Sequence, residues 1–176
     1  QAPFVYQTQY DTAQRLIAVP YAEFKRLAQQ LPPLDHLIMI YMTGRSGSTL
    51  LSKVFNEVEN VVSLAEPDVP VQFIHLRTPD GARDAELIEL LQATIRFCFK
   101  PAGQKQGSTY ALKLRSEAVQ MMDLMQAAFP QVKNLFLYRD VIGWVASFVR
   151  LFRHDGVFEP TPVNEWLAFI KVLFTQ

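Results

Sequence analysis

Residues that could bind an anion are concentrated in one short stretch of the chain. It reads Gly44-Arg45-Ser46-Gly47-Ser48-Thr49. Its glycines let the backbone turn tightly and approach a ligand closely. If a helix begins directly after the turn, its first amides lack intrahelical acceptors and carry the positive end of the helix dipole. Together with the hydroxyl groups and the guanidinium of Arg45, such a turn predicts a phosphate-binding loop.

The segments on either side have the pattern that such a loop requires. Residues His36–Met42 form a continuous apolar run, which is typical of a strand buried on both faces of a parallel sheet. Apolar residues at helical spacing follow the turn, namely Leu50, Leu51, Val54, Phe55 and Val58. An ordinary strand-to-helix turn capped by serine and threonine is the alternative, but this context favours phosphate binding.

The loop differs from that of nucleoside triphosphatases, which follows the pattern G-x-x-x-x-G-K-[ST]. Ser48 stands where a lysine should follow Gly47, and the cation, Arg45, lies inside the loop. Without that lysine, binding of a γ-phosphate with its magnesium ion is poorly supported, which argues against a kinase.

The rest of the chain alternates between strand and helix patterns, which predicts the α/β class. Beyond the strand at 36–42, the predicted strands are Val61–Leu64, Tyr110–Leu114 and Asn134–Tyr138. The predicted helices are Tyr21–Leu31, Leu87–Cys98, Ser116–Ala128 with Ser116 as its cap, Asp140–Arg153 and Val163–Leu173, and Pro101–Ser108 is a predicted loop. We therefore expect a single domain over residues 1–176, a three-layer α/β/α fold with a mainly parallel sheet.

Composition restricts the classes of function. The 176 residues carry 17 basic and 17 acidic side chains, so zero net charge gives no general attraction for nucleic acid or anionic lipid. A single cysteine, Cys98, excludes a disulfide within the chain and a cysteine-rich zinc site. No apolar run is long enough to span a bilayer. The three histidines are too scattered to indicate a metal cluster, and the lack of paired cysteines favours a cytoplasmic location.

The stretch Gly44–Leu51 resembles the 5′-phosphosulfate loop of the sulfotransferase family, and the resemblance extends over about Leu37–Phe152. These enzymes have a P-loop type of nucleotide-binding fold and transfer a sulfuryl group from 3′-phosphoadenosine 5′-phosphosulfate (PAPS) to a hydroxyl or amine. The resemblance implies that Arg45 contacts the bridging and sulfuryl oxygens. It also implies that the 5′-phosphate is held by Gly47, Ser48 and Thr49, with Gly44 and Ser46 in the same donor site, and that no metal is needed.

A later part of the chain resembles a second motif of that family, an arginine at the end of a strand followed by a serine eight residues on. Arg139 and Ser147 have this spacing, and the resemblance implies that both bind the donor's 3′-phosphate. Asp140 is expected to cap the helix that carries Ser147, two turns further along on the same face. The alternative for Arg139 is a salt bridge with a carboxylate. The alternative for Ser147 is that it is an ordinary serine on the surface of the helix.

The acceptor needs a general base, and Glu66 is the candidate that the resemblance offers. Carbohydrate-type members have a glutamate before a proline after the second strand, as in Glu66-Pro67. Strand ends on this side of a parallel sheet line the usual ligand crevice, so Glu66 is expected near the loop. The alternative, given equal weight, is that Glu66 is a carboxylate in a turn and has no catalytic role. Asp68 and His75 are the next candidates for the base.

Lys113 occupies the place where many cytosolic members have a Lys-Thr-His run, but the residues after it are Leu114 and Arg115. The histidine base of those members therefore has no counterpart here. Lys113 either assists Arg45 in catalysis or ends a strand in solvent, and the second reading is slightly favoured.

The predicted function is that of a PAPS-dependent sulfotransferase acting on a small-molecule or carbohydrate acceptor. A P-loop kinase for a nucleotide or small molecule and a non-catalytic nucleotide-binding module are the alternatives. Family members continue into a basic loop that closes over the 3′-phosphate, whereas Lys171 is the one lysine after Arg153 here. The resemblance therefore predicts that the chain is truncated at its C-terminus. The start at Gln1 leaves an upstream signal or anchor open. The sequence does not reveal the oligomeric state.

Overall fold

A computed structural model describes residues 11–15, 17–100 and 108–154, with side chains up to residue 150. The chain forms two compact units, Gln1–Tyr138 and Arg139–Gln176.

A four-stranded sheet is the centre of the first unit. Its strands are β1 (His36–Met42), β2 (Val61–Ala65), β3 (Thr109–Lys113) and β4 (Lys133–Leu137). The strand order is β2-β3-β1-β4, and all three pairings are parallel. The register aligns both Ile40 of β1 and Ala65 of β2 with Lys113 of β3, so these strands end at one edge of the sheet. The prediction of an α/β fold with a parallel sheet is confirmed.

The helices of the first unit connect these strands. They are α1 (Tyr21–Gln29), α2 (Ser48–Glu57), the short α3 (Val69–Gln72), α4 (Asp84–Phe99) and α5 (Met122–Ala128), with 3₁₀ helices at Phe73–Leu76 and Ser116–Met121. The chain moves in one direction across the sheet through α2 and in the other through α4 and α5. Because such crossovers are right-handed, α2 lies on one face and α4 and α5 on the other, which is compatible with a three-layer α/β/α arrangement.

A hydrophobic core cluster lies between the sheet and α4 with α5. Every second residue of β1, namely Leu37, Met39 and Tyr41, belongs to it together with Leu91 and Ile95 of α4. Side chains alternate between the two faces of a strand, so these three residues point to one face and Ile40, also fully buried, to the other. Burial on both faces explains why β1 reads as an uninterrupted apolar run.

The predicted cap of the helix after β3 is wrong. Ser116 is the first residue of a 3₁₀ helix that precedes α5, and the residue in the capping position is Arg115. The hydroxyl of Ser116 donates to the carboxylate of the adjacent Glu117 at 3.2 Å instead of accepting from a helix amide. The other predicted elements agree with the structure to within about three residues at each end, while the predicted helix over 163–173 and most of the 101–108 loop lie outside the described residues.

The second unit contains α6 (Val141–His154). A carboxylate oxygen of Asp140 accepts a hydrogen bond from the amide of Gly143 at 2.6 Å, so the predicted cap of this helix is confirmed. Among the helices that the structure describes, none is long and apolar enough to cross a membrane.

Candidate functional site

The loop between β1 and α2 is held at both of its ends. The amide of Thr43 donates to the carbonyl of Leu137 in β4 at 2.9 Å, which fixes the exit from β1. Helix α2 begins at Ser48, and the amide of Leu50 donates to the carbonyl of Gly47 at 3.0 Å. The N-terminal amides of α2 therefore face the loop, in the geometry that favours an anion.

Two hydroxyl groups of the loop are buried without a hydrogen-bond partner among the residues that the structure describes. They are Oγ1 of Thr43 and Oγ of Ser46. Buried polar groups are nearly always paired, because an unmade hydrogen bond costs about 1–3 kcal/mol. Two such groups within four residues, next to the start of a helix, point to a ligand that accepts hydrogen bonds. Sequence reasoning overlooked Thr43, although its position directly after a buried strand was the available signal.

The loop backbone adopts conformations that other parts of a chain rarely adopt. Gly47 has a φ of 91°, and a Cβ added there would meet nothing within 4 Å, so the space over this residue is open. Arg45 has a φ of 63° although it carries a side chain. A non-glycine residue in this region stores about 1–3 kcal/mol of strain, and such strain is common at binding sites.

The loop residues that are predicted to bind PAPS differ in their exposure to solvent. Arg45 and Gly47 are exposed, and Gly44, Ser46 and Thr49 are half-buried. Ser48 is buried, and its hydroxyl donates to the Sδ of Met42. Ser48 therefore faces the loop through its backbone amide and not through its side chain.

Glu66 and Lys113 meet at the ends of β2 and β3. The ammonium of Lys113, whose side chain is 1% exposed, donates to a carboxylate oxygen of Glu66, which is 14% exposed. The amide of Glu66 also donates to the carbonyl of Lys113 at 2.8 Å, and Glu66 has a φ of 52°. The expectation that Lys113 ends its strand in solvent is thus wrong, because the carboxylate of the neighbouring strand pairs with the buried ammonium.

This ion pair lies close to the loop in the sheet. Ile40 of β1 and Ala65 of β2 flank Lys113 on its two sides, and neighbouring strands are about 4.8 Å apart. The amide of Leu114 donates to the carbonyl of Ile40 at 3.0 Å, which joins β3 to β1 just before the loop begins. The structure therefore brings the Glu66–Lys113 pair and the loop together at the carboxyl edge of the sheet.

The other candidates for a base have different surroundings. A carboxylate oxygen of Asp68 accepts from Arg115 at 2.8 Å and another from Gln72 at 2.7 Å. His75 is exposed on the 3₁₀ helix after α3. Glu66 is consequently the candidate that best combines a position at the strand ends with burial and a charged partner.

Arg139 and Ser147 belong to the second unit. Arg139 is exposed directly before α6, and Ser147 is half-buried within it. A Cβ added at Gly143 would lie 2.6 Å from a carboxylate oxygen of Asp140 and 2.8 Å from the Nε of Arg139, so both side chains pass close over the first turn of α6.

Carboxylate, imidazole and thiol groups are dispersed in the part of the chain that the structure describes. No three of them lie close enough there to hold a metal ion. The thiol of Cys98 is half-buried, and burial raises its pKa to about 11.

Comparison with known proteins gives no relative. No protein-family model, curated protein or solved structure matches this chain. The functional conclusion therefore depends on the residues and geometry of the site.

Proposed function

We propose that this protein is a sulfotransferase that moves a sulfuryl group from PAPS to a hydroxyl or amine of an acceptor. The loop over residues 43–49 serves as the 5′-phosphosulfate site of a P-loop type of fold. The observation that carries the proposal is the pair of buried hydroxyl groups without partners, Thr43 and Ser46, beside the N-terminus of α2. Phosphate and sulfuryl oxygens accept hydrogen bonds, so PAPS bound there would accept from both hydroxyl groups.

Transfer needs positioning and stabilisation of negative charge more than covalent chemistry by the protein. The acceptor oxygen or nitrogen forms a bond to sulfur while the bond from sulfur to the bridging phosphate oxygen breaks. Adenosine 3′,5′-bisphosphate leaves, and negative charge develops on the bridging oxygen. The guanidinium of Arg45 and the first amides of α2 stabilise that charge.

The acceptor proton goes to the carboxylate of Glu66. The ammonium of Lys113 fixes this carboxylate at the edge of the sheet, and the positive φ of Glu66 keeps its backbone turned out of the strand direction. Lys113 thus acts by orienting the base and by contributing positive charge near the loop. Arg139 and Ser147 stay predicted ligands of the 3′-phosphate, as the resemblance of their motif to that of the sulfotransferase family implies.

Calorimetric titration tests the donor site. We expect adenosine 3′,5′-bisphosphate to bind in preference to ATP with magnesium. Because the hydroxyl of Ser46 has no partner in the described structure, Ser46→Ala should leave the free energy of unfolding unchanged or slightly higher. The same variant should weaken bisphosphate binding about 10- to 150-fold, because one hydrogen bond to a charged group, worth about 1.5–3 kcal/mol, is lost. Ser116→Ala, which removes an exposed hydroxyl, is the matched control.

Transfer of [³⁵S]sulfate from labelled PAPS to a panel of hydroxyl and amine acceptors tests the activity. Arg45→Ala should abolish transfer with the fold intact, whereas Arg26→Ala, at an exposed arginine of α1, should not. Preference for ATP with magnesium would indicate a kinase, and bisphosphate binding without any transfer would indicate a binding module. Either result would refute the proposed activity.

A further inference from the structure

A cavity of about 250 Å³ lies between α1 and α4 in the first unit. Its lining residues recur at helical spacing on both helices, namely Lys25, Ala28 and Gln29 on α1 and Glu89, Gln92, Ala93 and Arg96 on α4. Liquid water occupies about 30 Å³ per molecule, so the space is large enough for a small organic molecule. We call it the α1–α4 cavity.

The α1–α4 cavity is separate from the loop and from the Glu66–Lys113 pair. The connection between the parallel strands β2 and β3 must return from the carboxyl edge of the sheet to its amino edge, and α4 makes this return. Gln92 and Arg96 lie in the second half of α4, and Gln92 donates to the carbonyl of Ala128, the last residue of α5 before β4. The cavity therefore lies toward the amino edge of the sheet, whereas the loop lies at the carboxyl edge.

The two helices are held together beside the cavity. Phe24 of α1 stacks on Phe97 of α4 with ring centroids 4.9 Å apart, and the ammonium of Lys25 donates to the carboxylate of Glu89 at 2.6 Å. The two alanines of the lining, both 3% exposed, are too short to fill the space between the helices. A cavity whose walls are fixed in this way exists before a ligand binds, and this lowers the cost of binding.

The charges of the lining favour an anionic ligand. Two of its side chains are cationic and one is anionic, so the lining has one net positive charge. The carboxylate of Glu89 pairs with Lys25, and in the part of the chain that the structure describes no carboxylate pairs with Arg96. The Nε of Arg96 is also buried there without a hydrogen-bond partner. Since buried donors are nearly always paired, Arg96 points to a ligand that accepts hydrogen bonds.

The uncharged polar groups of the lining add a second requirement. The amide nitrogen of Gln92 donates to Ala128 at 2.7 Å, and its amide oxygen can accept from a ligand. Gln29 is exposed, and its amide can both donate and accept. The planar guanidinium of Arg96 matches a carboxylate, which accepts two parallel hydrogen bonds from it. The lining therefore fits a small molecule that has a carboxylate at one end and an amide or hydroxyl group at the other.

We propose that the α1–α4 cavity binds a small organic monocarboxylate, whose carboxylate pairs with Arg96 and whose amide or hydroxyl group bonds to Gln29 and Gln92. A single negative charge suffices because Lys25 and Glu89 compensate each other. Such a ligand contacts both helices and therefore stabilises the packing of α1 on α4. The site is independent of the proposed function, because it shares no residue with the loop or the Glu66–Lys113 pair.

Succinamate and succinamide are suitable probes because they differ only in the replacement of a carboxylate by an amide. Titration of the full chain, followed by the NMR chemical shifts of its backbone amides, should show succinamate binding at least 10-fold tighter than succinamide. Arg96→Met, which removes the guanidinium but keeps an unbranched side chain, should weaken succinamate binding at least 10-fold. Arg26→Met, at an exposed arginine of α1 outside the cavity, is the matched control and should have no effect.

Thermal unfolding tests the state of Arg96 without any ligand. Because its buried Nε has no partner in the described structure, Arg96→Met should unfold at the same temperature as the unchanged protein or at a higher one. An unfolding temperature clearly below that of Arg26→Met would show that the guanidinium is bound within the fold, and it would overturn the proposal.

Competition experiments locate the site and define its ligand. Adenosine 3′,5′-bisphosphate, the ligand of the proposed donor site, should not displace succinamate. Displacement would place succinamate in the loop and overturn the cavity assignment, whereas succinamate binding that depends on Arg96 in a chain that binds no bisphosphate would support the cavity and refute the donor site. Binding of inorganic phosphate as tight as that of succinamate, or equal binding of succinamate and succinamide, would overturn the carboxylate assignment.

Discussion

The buried ion pair of Lys113 with Glu66 predicts a specific pattern of stability among three variants. Glu66→Gln leaves an ammonium that is 1% exposed without its carboxylate, and Lys113→Met leaves a carboxylate that is 14% exposed without its ammonium. Removing one partner of a buried pair costs about 3–5 kcal/mol, whereas replacing both with uncharged side chains is often close to neutral. We expect Glu66→Gln to be the most destabilised, because the ammonium is the more buried of the two charges.

The loss in Glu66→Gln has an upper limit that can be worked out. A lysine with the ordinary pKa of about 10.4 releases its proton at pH 7 at a cost of about 4.6 kcal/mol, so a buried ammonium would become neutral before the penalty exceeded that value. At pH 10 the same release costs about 0.5 kcal/mol. The free energy of unfolding of Glu66→Gln should therefore recover by about 3 kcal/mol relative to the unchanged protein between pH 7 and pH 10. Lys113→Met should show no such recovery.

Urea unfolding followed by far-UV circular dichroism measures these differences. Domains of this kind have a total stability of about 5–15 kcal/mol, so a variant that is unfolded at pH 7 can still be measured at pH 10. The double variant Glu66→Gln with Lys113→Met should lie within about 2 kcal/mol of the unchanged protein, which implies a coupling of about 4 kcal/mol or more. Single variants that are as stable as the unchanged protein, or a loss in Glu66→Gln that does not depend on pH, would refute the reasoning.

Three further predictions concern other parts of the first unit. Gly47→Val places a β-branched side chain at a φ of 91°, so thermal unfolding should show a loss of about 1–3 kcal/mol although the space there is open. Because burial raises the pKa of Cys98 to about 11, a thiol reagent at pH 8 should label it at least 10-fold more slowly in the folded chain than in urea. The hydrogen bond from Arg77 lowers the pKa of Asp123, so this carboxylate stabilises the fold above its unfolded pKa near 3.9 and loses that effect as the pH falls through the lower folded value. Since the Asp123 side chain is 62% exposed, Asp123→Asn should cost less than about 1 kcal/mol at pH 7 by urea unfolding, and the difference should vanish near pH 2.

The strands and helices could be predicted from the sequence because each is defined by its own residues. The apolar run of β1 is fixed by burial on both faces, and the prediction of His36–Met42 agrees with the structure at both ends. The strand order could not be predicted in this way, since it depends on which distant segments pair. Ser116 shows a local limit as well, because a serine can bond to an adjacent carboxylate as readily as to a helix amide.

The candidate site was predictable in its loop and less so in its surroundings. Gly44 to Gly47 lie between a strand and a helix as predicted, and Ser48 and Thr49 begin that helix. The left-handed backbone of Arg45 could not be predicted, because arginine rarely adopts a positive φ. The burial of Lys113 could not be predicted either, because the carboxylate that makes it possible belongs to Glu66, 47 positions away in the chain. Contacts of this kind are set by the register of the sheet.

The central place of β1 has a consequence for biosynthesis. His36 pairs with Thr109 and Ile38 with Lys133, so neither neighbour of β1 exists when the ribosome has just produced this strand. At about 5–20 residues per second, both neighbours are complete only some 4–20 s later. During that interval the seven-residue strand cannot bury its apolar side chains between its partner strands. The loop between β1 and α2, which is anchored to β4 by the hydrogen bond from Thr43 to Leu137, can take its final shape only after β4 has been made.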